Sequence, residues 1–213
     1  MQRAAEIAAI GAACRQALED KHQAREAVLS ASRRAIQSSA ASIRATHRGE
    51  FDLAVGLATE ARTQIALADT ALGPQPDLRG QGPVYDARKE VAEAWLTLAL
   101  VRGDALPGPD ALGVDAAAYL NGMAEAASEL RRQVLDCLRR GELARGETLM
   151  SAMDDVYSVL VTIDYPDAVT SGLRRTTDAL RAVLERTRGD LTTTIVAARL
   201  QAAIDAASPQ KDG

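Results

Sequence analysis

Two pairs of glutamates offer the most direct route to chemistry in this sequence. Glu90 and Glu93 lie three residues apart, and Glu125 and Glu129 lie four apart, so on helices each pair shares one face. Four converging carboxylates repel one another unless a hard divalent cation neutralises them, and Mg²⁺ or Mn²⁺ suits an all-oxygen donor set. Such a cation activates water and stabilises charge on an attacked phosphate, which makes phosphodiester cleavage the chemistry this set would support. No histidine is required, and the chain has only His22 and His47. The same spacing also suits a solvated helical face tied by ion pairs worth about 0.3–0.5 kcal/mol each. Lys89 precedes Glu93 by four residues and Arg132 follows Glu129 by three, in keeping with that plainer reading. Glu90 and Glu125 have no basic neighbour three or four residues away on their own helices.

The elements that must position these residues read as helices throughout. From Gln2 to about His47 there is no proline and a single glycine, Gly11, while apolar residues recur at spacings of three and four. One helix over that span would approach ~70 Å, too long for one compact bundle, so part of it is expected to pack against another subunit. Gly49 is the expected stop, and a second helix runs from Glu50 to about Leu72. Residues 73 to 83 form a Gly/Pro-rich loop, followed by a helix from about Tyr85 to Arg102. Residues 103 to 114 break the pattern again, with Asp115 the candidate N-cap of a helix to Arg140. An antiparallel hairpin turning near Pro109 would set Glu90 opposite Glu129 and Glu93 opposite Glu125. After Gly141 a further helix ends at Tyr165-Pro166, and residues 168 to 207 read as two helices divided near Gly189-Asp190.

The expectation is therefore an all-α fold: a seven-helix up-down bundle with a long first helix, forming one domain over 1–213 with 207–213 as a flexible tail. Hydrophobic residues make up 47% of the 213 residues and aromatics 3%, so alanine and aliphatic side chains carry the core, a bias that favours closely packed helices. Two cysteines, Cys14 and Cys137, form no disulfide framework and no CxxC motif, and a reducing, cytoplasmic setting is the expectation. The stretch from Ile7 to Cys14 reads as part of the first helix rather than as a leader. No run of 18 apolar residues exists, so no membrane span is expected. A net charge of −4 argues against nucleic acid bound over the whole surface and leaves a local arginine surface.

The segment Tyr85-Asp-Ala-Arg-Lys-Glu90-Val-Ala-Glu93-Ala94 resembles the acidic helix of the translin family. Tyr119-Leu-Asn-Gly122, continuing through Glu125 to Glu129-Leu130-Arg131-Arg132, is similar to the family's next acidic helix. Ile43 to Phe51 resembles its first interhelical turn. Gly172-Leu173-Arg174-Arg175 and Glu185 to Asp190 resemble its C-terminal helices, especially in archaeal and bacterial forms. The resemblance covers most of the chain. It implies a seven-helix fold, assembly into a closed hollow octamer that encloses RNA, and two branches, the non-catalytic translin and the catalytic translin-associated factor X-like one. A glutamate at the position of Glu129 occurs in both, whereas carboxylates at the positions of Glu90, Glu93 and Glu125 belong to the catalytic branch. The position of Glu125 is often Asp in eukaryotic catalytic subunits, and Ala92 and Trp95 also depart from the usual pattern.

The resemblance thus implies a Mg²⁺-dependent (or Mn²⁺-dependent) endoribonuclease that cuts single-stranded RNA within a homo-oligomer, with Glu90, Glu93, Glu125 and Glu129 as metal ligands and catalytic residues. Arg44, Arg48, Lys89, Arg132, Arg174, Arg175 and Arg188 are candidate RNA-binding residues, with Arg181 and Arg186 in the same arginine-rich stretch; ordinary helix-surface arginine accounts for them equally well, particularly Arg48 and Arg188 in last turns, where the helix dipole favours a cation. The few aromatics point to backbone binding rather than base readout, with single-stranded DNA as a further ligand. His47 reads as a residue of the helix C-terminus. Two alternatives stand beside this expectation: a non-enzymatic binder of single strands, and a helical adaptor without nucleic acid.

Overall fold

Helix-forming alanine and leucine dominate between glycine- and proline-bearing breaks, and most of the breaks that the sequence marks are used. The computed structural model describes residues 2–73 and 82–207; most of the expected loop at 73–83, and the expected tail beyond Ala207, lie outside them. The described residues form α1 (Gln2–His47), α2 (Phe51–Leu72), α3 (Gly82–Arg102), α4 (Pro109–Leu112), α5 (Ala116–Arg139), α6 (Leu143–Leu160), α7 (Asp167–Thr170) and α8 (Leu173–Ala207). Six are long, and α4 and α7 are single turns inside the connections. None is long and apolar enough to cross a membrane.

Local chemistry sets the ends. Gly49 takes φ +76°, and the reversed chain lets Glu50 N–H reach the Ala45 carbonyl at 3.0 Å, which closes α1 and starts α2. Asp115 caps α5 by accepting a 3.0 Å hydrogen bond from Ala118 N–H. Both agree with the sequence.

Two three-helix groups share one seam. α1, α2 and α3 pack together through Ala35, Ala61, Ile65, Ala87 and Val91, while α5, α6 and α8 pack through Leu130, Val134, Met150, Met153 and Leu184. α3 against α5 joins the groups.

At that seam the expected antiparallel hairpin is wrong. Tyr85 hydroxyl meets the Ala117 carbonyl, Lys89 meets Glu125, and Val101 shares a core cluster with Leu130 and Val134, so position along α3 rises with position along α5. The two helices run parallel. Residues 103–115 do not turn the chain round; they carry it back along α3. Tyr119 hydroxyl holds the Pro107 carbonyl at 2.8 Å, Arg62 holds that of Ala111 at 3.2 Å, and Leu112 and Val114 bury against Ala92 and Leu96. Asp115 thereby comes within 3.7 Å of Arg88.

The C-terminal break near Gly189-Asp190 is also overturned, because α8 continues through it. A glycine inside a helix costs about 1 kcal/mol. Leu184, Thr187 and Leu191 keep a buried stripe across the site, and burying one leucine contributes about 2 kcal/mol. Arg131 also anchors that turn, through Thr187 Oγ1 at 3.1 Å and Asp190 at 2.8 Å.

Gly122 governs the distance across the seam. A Cβ there would lie 2.6 Å from the Lys89 carbonyl oxygen, 2.8 Å from Ala92 Cβ and 2.9 Å from Glu93 N, none of which is a flexible side-chain end. Ala92, buried at that contact, is small for the same reason. Gly122→Ala is expected to push α3 from α5 and to destabilise the fold by about 1–3 kcal/mol in urea denaturation, by overpacking. An unchanged midpoint would refute the close approach.

Candidate metal centre

The parallel seam decides which carboxylates meet. Glu90 and Glu93 face α5 from one side, Glu125 faces α3 from the other, and these three each offer an oxygen within 4.8 Å of the others. Glu129, one turn further along α5, adds its charge to Glu93, so the four lie in sequence beside the seam rather than in two opposed pairs. The antiparallel register would have placed Glu129 against Glu90. That pairing does not occur.

The trio is electrostatically expensive. At 4.8 Å two ionised carboxylates repel by about 3.5 kcal/mol at an effective dielectric of ~20. Glu93 is 8% exposed. Burial, then the charges of Glu90, Glu125 and Glu129, pushes its carboxyl up to about 9, so at neutral pH it holds a proton. Glu90 moves in the same direction, chiefly through burial.

One cation is already at hand. Lys89 Nζ lies 2.8 Å from Glu125 Oε1, 2.7 Å from Oε2 and 3.8 Å from Glu90 Oε1. Burial works against its charge, but the hydrogen bond to Glu125 and the charges of Glu125, Glu90 and Glu93 outweigh it and raise the lysine above its ordinary value. The sequence paired Lys89 with Glu93 on its own helix. Instead it crosses to α5, and supplies Glu125 with the basic partner that α5 lacks.

Glu129 is held separately. Its Oε2 lies 2.6 Å from His47 Nε2, and the Gln133 amide nitrogen lies 3.2 Å from His47 Nδ1. An amide nitrogen only donates, so Nδ1 accepts and Nε2–H donates to the carboxylate. The imidazole is 3% exposed. His47 sits in the last turn of α1, as expected, but its work is to anchor Glu129. Nothing local in the sequence signals a contact between residues so distant.

All-oxygen chemistry, three carboxylates within reach of one ion, and a carboxyl that stays protonated without one make this trio fit a hard divalent cation. Glu90, Glu93 and Glu125 would hold it.

The other candidate residues scatter. Arg48 pairs with Glu50 at 2.9 Å, and Arg188 pairs with Asp154 at 2.6 Å in the middle of α8, not in a last turn. Arg132 is exposed one turn from Glu129 and lines a surface groove of about 380 Å³ with Glu129 and Arg131. Arg44, Arg174 and Arg175 are exposed. Arg174 borders a depression of about 930 Å³ together with Asp164, Asp167 and Asp178, an acidic frame that suits phosphate poorly.

No known family model matches the chain. An uncharacterized protein of Methanocaldococcus jannaschii is 40% identical over 77 residues, 36% of this chain, and the match spans 34% of that relative's length. The crystal structure of AfC3PO is 31% identical, with a TM-score of 0.80 over 86% of this chain and 96% of that one. The AfC3PO–duplex RNA complex gives 30% identity and a TM-score of 0.65, covering 86% and 95% of the two chains. Apo-NeC3PO, 19% identical with a TM-score of 0.75 over 87% and 96%, shares the fold.

The raised carboxyl makes stability depend on pH. The unfolded chain releases this proton near 4.5 and the fold keeps it to about 9, so the contribution of Glu93 is fully present below pH 4.5 and is lost as pH rises toward 9. With a chelator present, Glu93→Gln is expected to raise the urea midpoint relative to wild type at the alkaline end of that window, with the gain vanishing toward its acid end. Equal midpoints at both ends would show that Glu93 is not held neutral.

Proposed function

The chain belongs to the translin family, and from that premise we propose that it is a divalent-metal-dependent endoribonuclease acting on single-stranded RNA within a homo-oligomer, an octamer in keeping with the family resemblance. The observation that carries this reading is the convergence of Glu90, Glu93 and Glu125 within 4.8 Å across the α3–α5 seam.

Glu90, Glu93 and Glu125 would hold the cation, Mg²⁺ or Mn²⁺, through their carboxylate oxygens. The cation supplies Lewis-acid charge that activates water and offsets negative charge on the phosphate. Glu129 keeps Oε2 on His47 and has Oε1 left to take a proton from the attacking water. Arg132, exposed one turn away, meets the phosphate backbone. Support for an RNA ligand comes from the AfC3PO–duplex RNA complex. Backbone contacts of this kind accept either form of RNA, and a single strand bends more readily to present a phosphodiester between two helices.

Support for assembly comes from apolar side chains left uncovered on two projecting helices. Ile7, Ile10 and Leu18 near the start of α1, and Val196 and Leu200 near the end of α8, are each more than half exposed.

Cleavage of labelled single-stranded and duplex RNA, with Mg²⁺ or EDTA, tests the reading. Chelation is expected to abolish cutting, and Glu90→Ala/Glu93→Ala to reduce it on the order of a hundredfold or more while RNA binding persists and weakens with salt. Binding without glutamate-dependent cleavage would leave a non-enzymatic RNA-binding oligomer.

A further inference from the structure

Lys89 occupies an unusual place for a lysine beside a metal-binding trio. Its ammonium lies on both oxygens of Glu125, at 2.8 and 2.7 Å, and approaches Glu90 at 3.8 Å. A divalent ion held by the trio would draw on the same Glu125 carboxylate. Among the described residues no other Lys or Arg is ion-paired with Glu90, Glu93 or Glu125, because the neighbouring Arg88 is committed to Asp69 and Asp115.

We propose that Lys89 is a tethered counter-cation: its ammonium fills the carboxylate site until a divalent ion displaces it, and so sets the ion concentration at which the site loads. This rests on the metal-centre reading above. The exchange is electrostatic. A divalent ion and an ammonium on the same carboxylate repel, so loading requires Nζ to release at least one Glu125 oxygen. Lysine suits the task. It is a compact charge on a four-carbon stem with rotatable donors, whereas a guanidinium fork would grip Glu125 in a fixed geometry. The side chain is 20% exposed, which leaves it a route toward solvent. Without the lysine the trio would lack its one built-in neutralising charge, and the empty site would attract a divalent ion more strongly.

Mn²⁺ titration of the full-length protein without RNA, at fixed pH and ionic strength, measures this directly by calorimetry. Wild type, Lys89→Met, Lys89→Gln, Lys89→Arg and Glu90→Gln/Glu93→Gln are compared after circular dichroism confirms equal helicity. Lys89→Met and Lys89→Gln are expected to bind Mn²⁺ on the order of tenfold more tightly than wild type. Lys89→Arg should bind no more tightly than wild type, and the double glutamate variant should lose binding. If both neutral variants bind as wild type does or more weakly, while binding still depends on the glutamates, the counter-cation assignment is overturned and the metal centre stands. A separate RNA-binding titration in which Lys89→Met loses affinity, with its Mn²⁺ affinity unchanged, would likewise overturn the assignment and give the lysine to the nucleic acid. Wild-type protein that shows no glutamate-dependent Mn²⁺ binding would remove the metal centre, and this inference with it.

Discussion

The approach of α3 to α5 at Gly122 is the constraint on which the rest depends. Backbone atoms of Lys89 and Glu93 and the Cβ of Ala92 occupy the space that any side chain at position 122 would need. That proximity brings Glu125 to Glu90 and Glu93. It is also the main junction between the α1–α2–α3 group and the α5–α6–α8 group, with His47 to Glu129 and Arg145 to the Val101 carbonyl adding to it, so cohesion of the molecule and convergence of the carboxylates share one seam. Packing at the seam therefore opposes charge at the seam: the buried faces of Leu96, Ala126 and Leu130 draw the helices together while the glutamates push them apart.

The molecule manages that opposition in three ways. Glu93, the most buried of the trio, takes a proton. Glu125 takes the Lys89 ammonium, and Glu129 is drawn aside by His47. Each device lowers the local charge density by a different means. A site that neutralised itself permanently, for instance through a bidentate arginine, would have no use for a metal.

Sequence was informative where a short stretch of chain decides the outcome. Gly49 and Asp115 mark helix ends because left-handed φ and side-chain capping are local events. The glutamate spacing was equally legible, since two residues three or four apart on a helix share a face whatever lies opposite. Direction was not legible. Residues 103–115 look like a turn, and only the remote partners of Tyr119, Arg62 and Leu112 reveal that they carry the chain back along α3. The same holds for Gly189, where the buried stripe through Leu184, Thr187 and Leu191 outweighs a locally plausible break. His47 meets Glu129 through tertiary structure alone. The consequence of the misread direction was limited because Glu93 faces Glu125 in either register; what changed was the partner of Glu90 and the isolation of Glu129.

α1 makes the molecule a cantilever. Its packed part runs from about Ala24 to His47, and the exposed stretch Gln2–Asp20, 19 residues at ~1.5 Å each, extends roughly 29 Å. The helix has no proline and no break, so overhang and anchor form one beam. The imidazole that grips Glu129 stands at the opposite end of the beam from the overhang, in the last turn of α1. A load on the tip is met where the packed part begins, at Ala24 and Val28 against Leu72 and Val84, and the unbroken helix carries any tilt of that end on to the turn that holds Glu129.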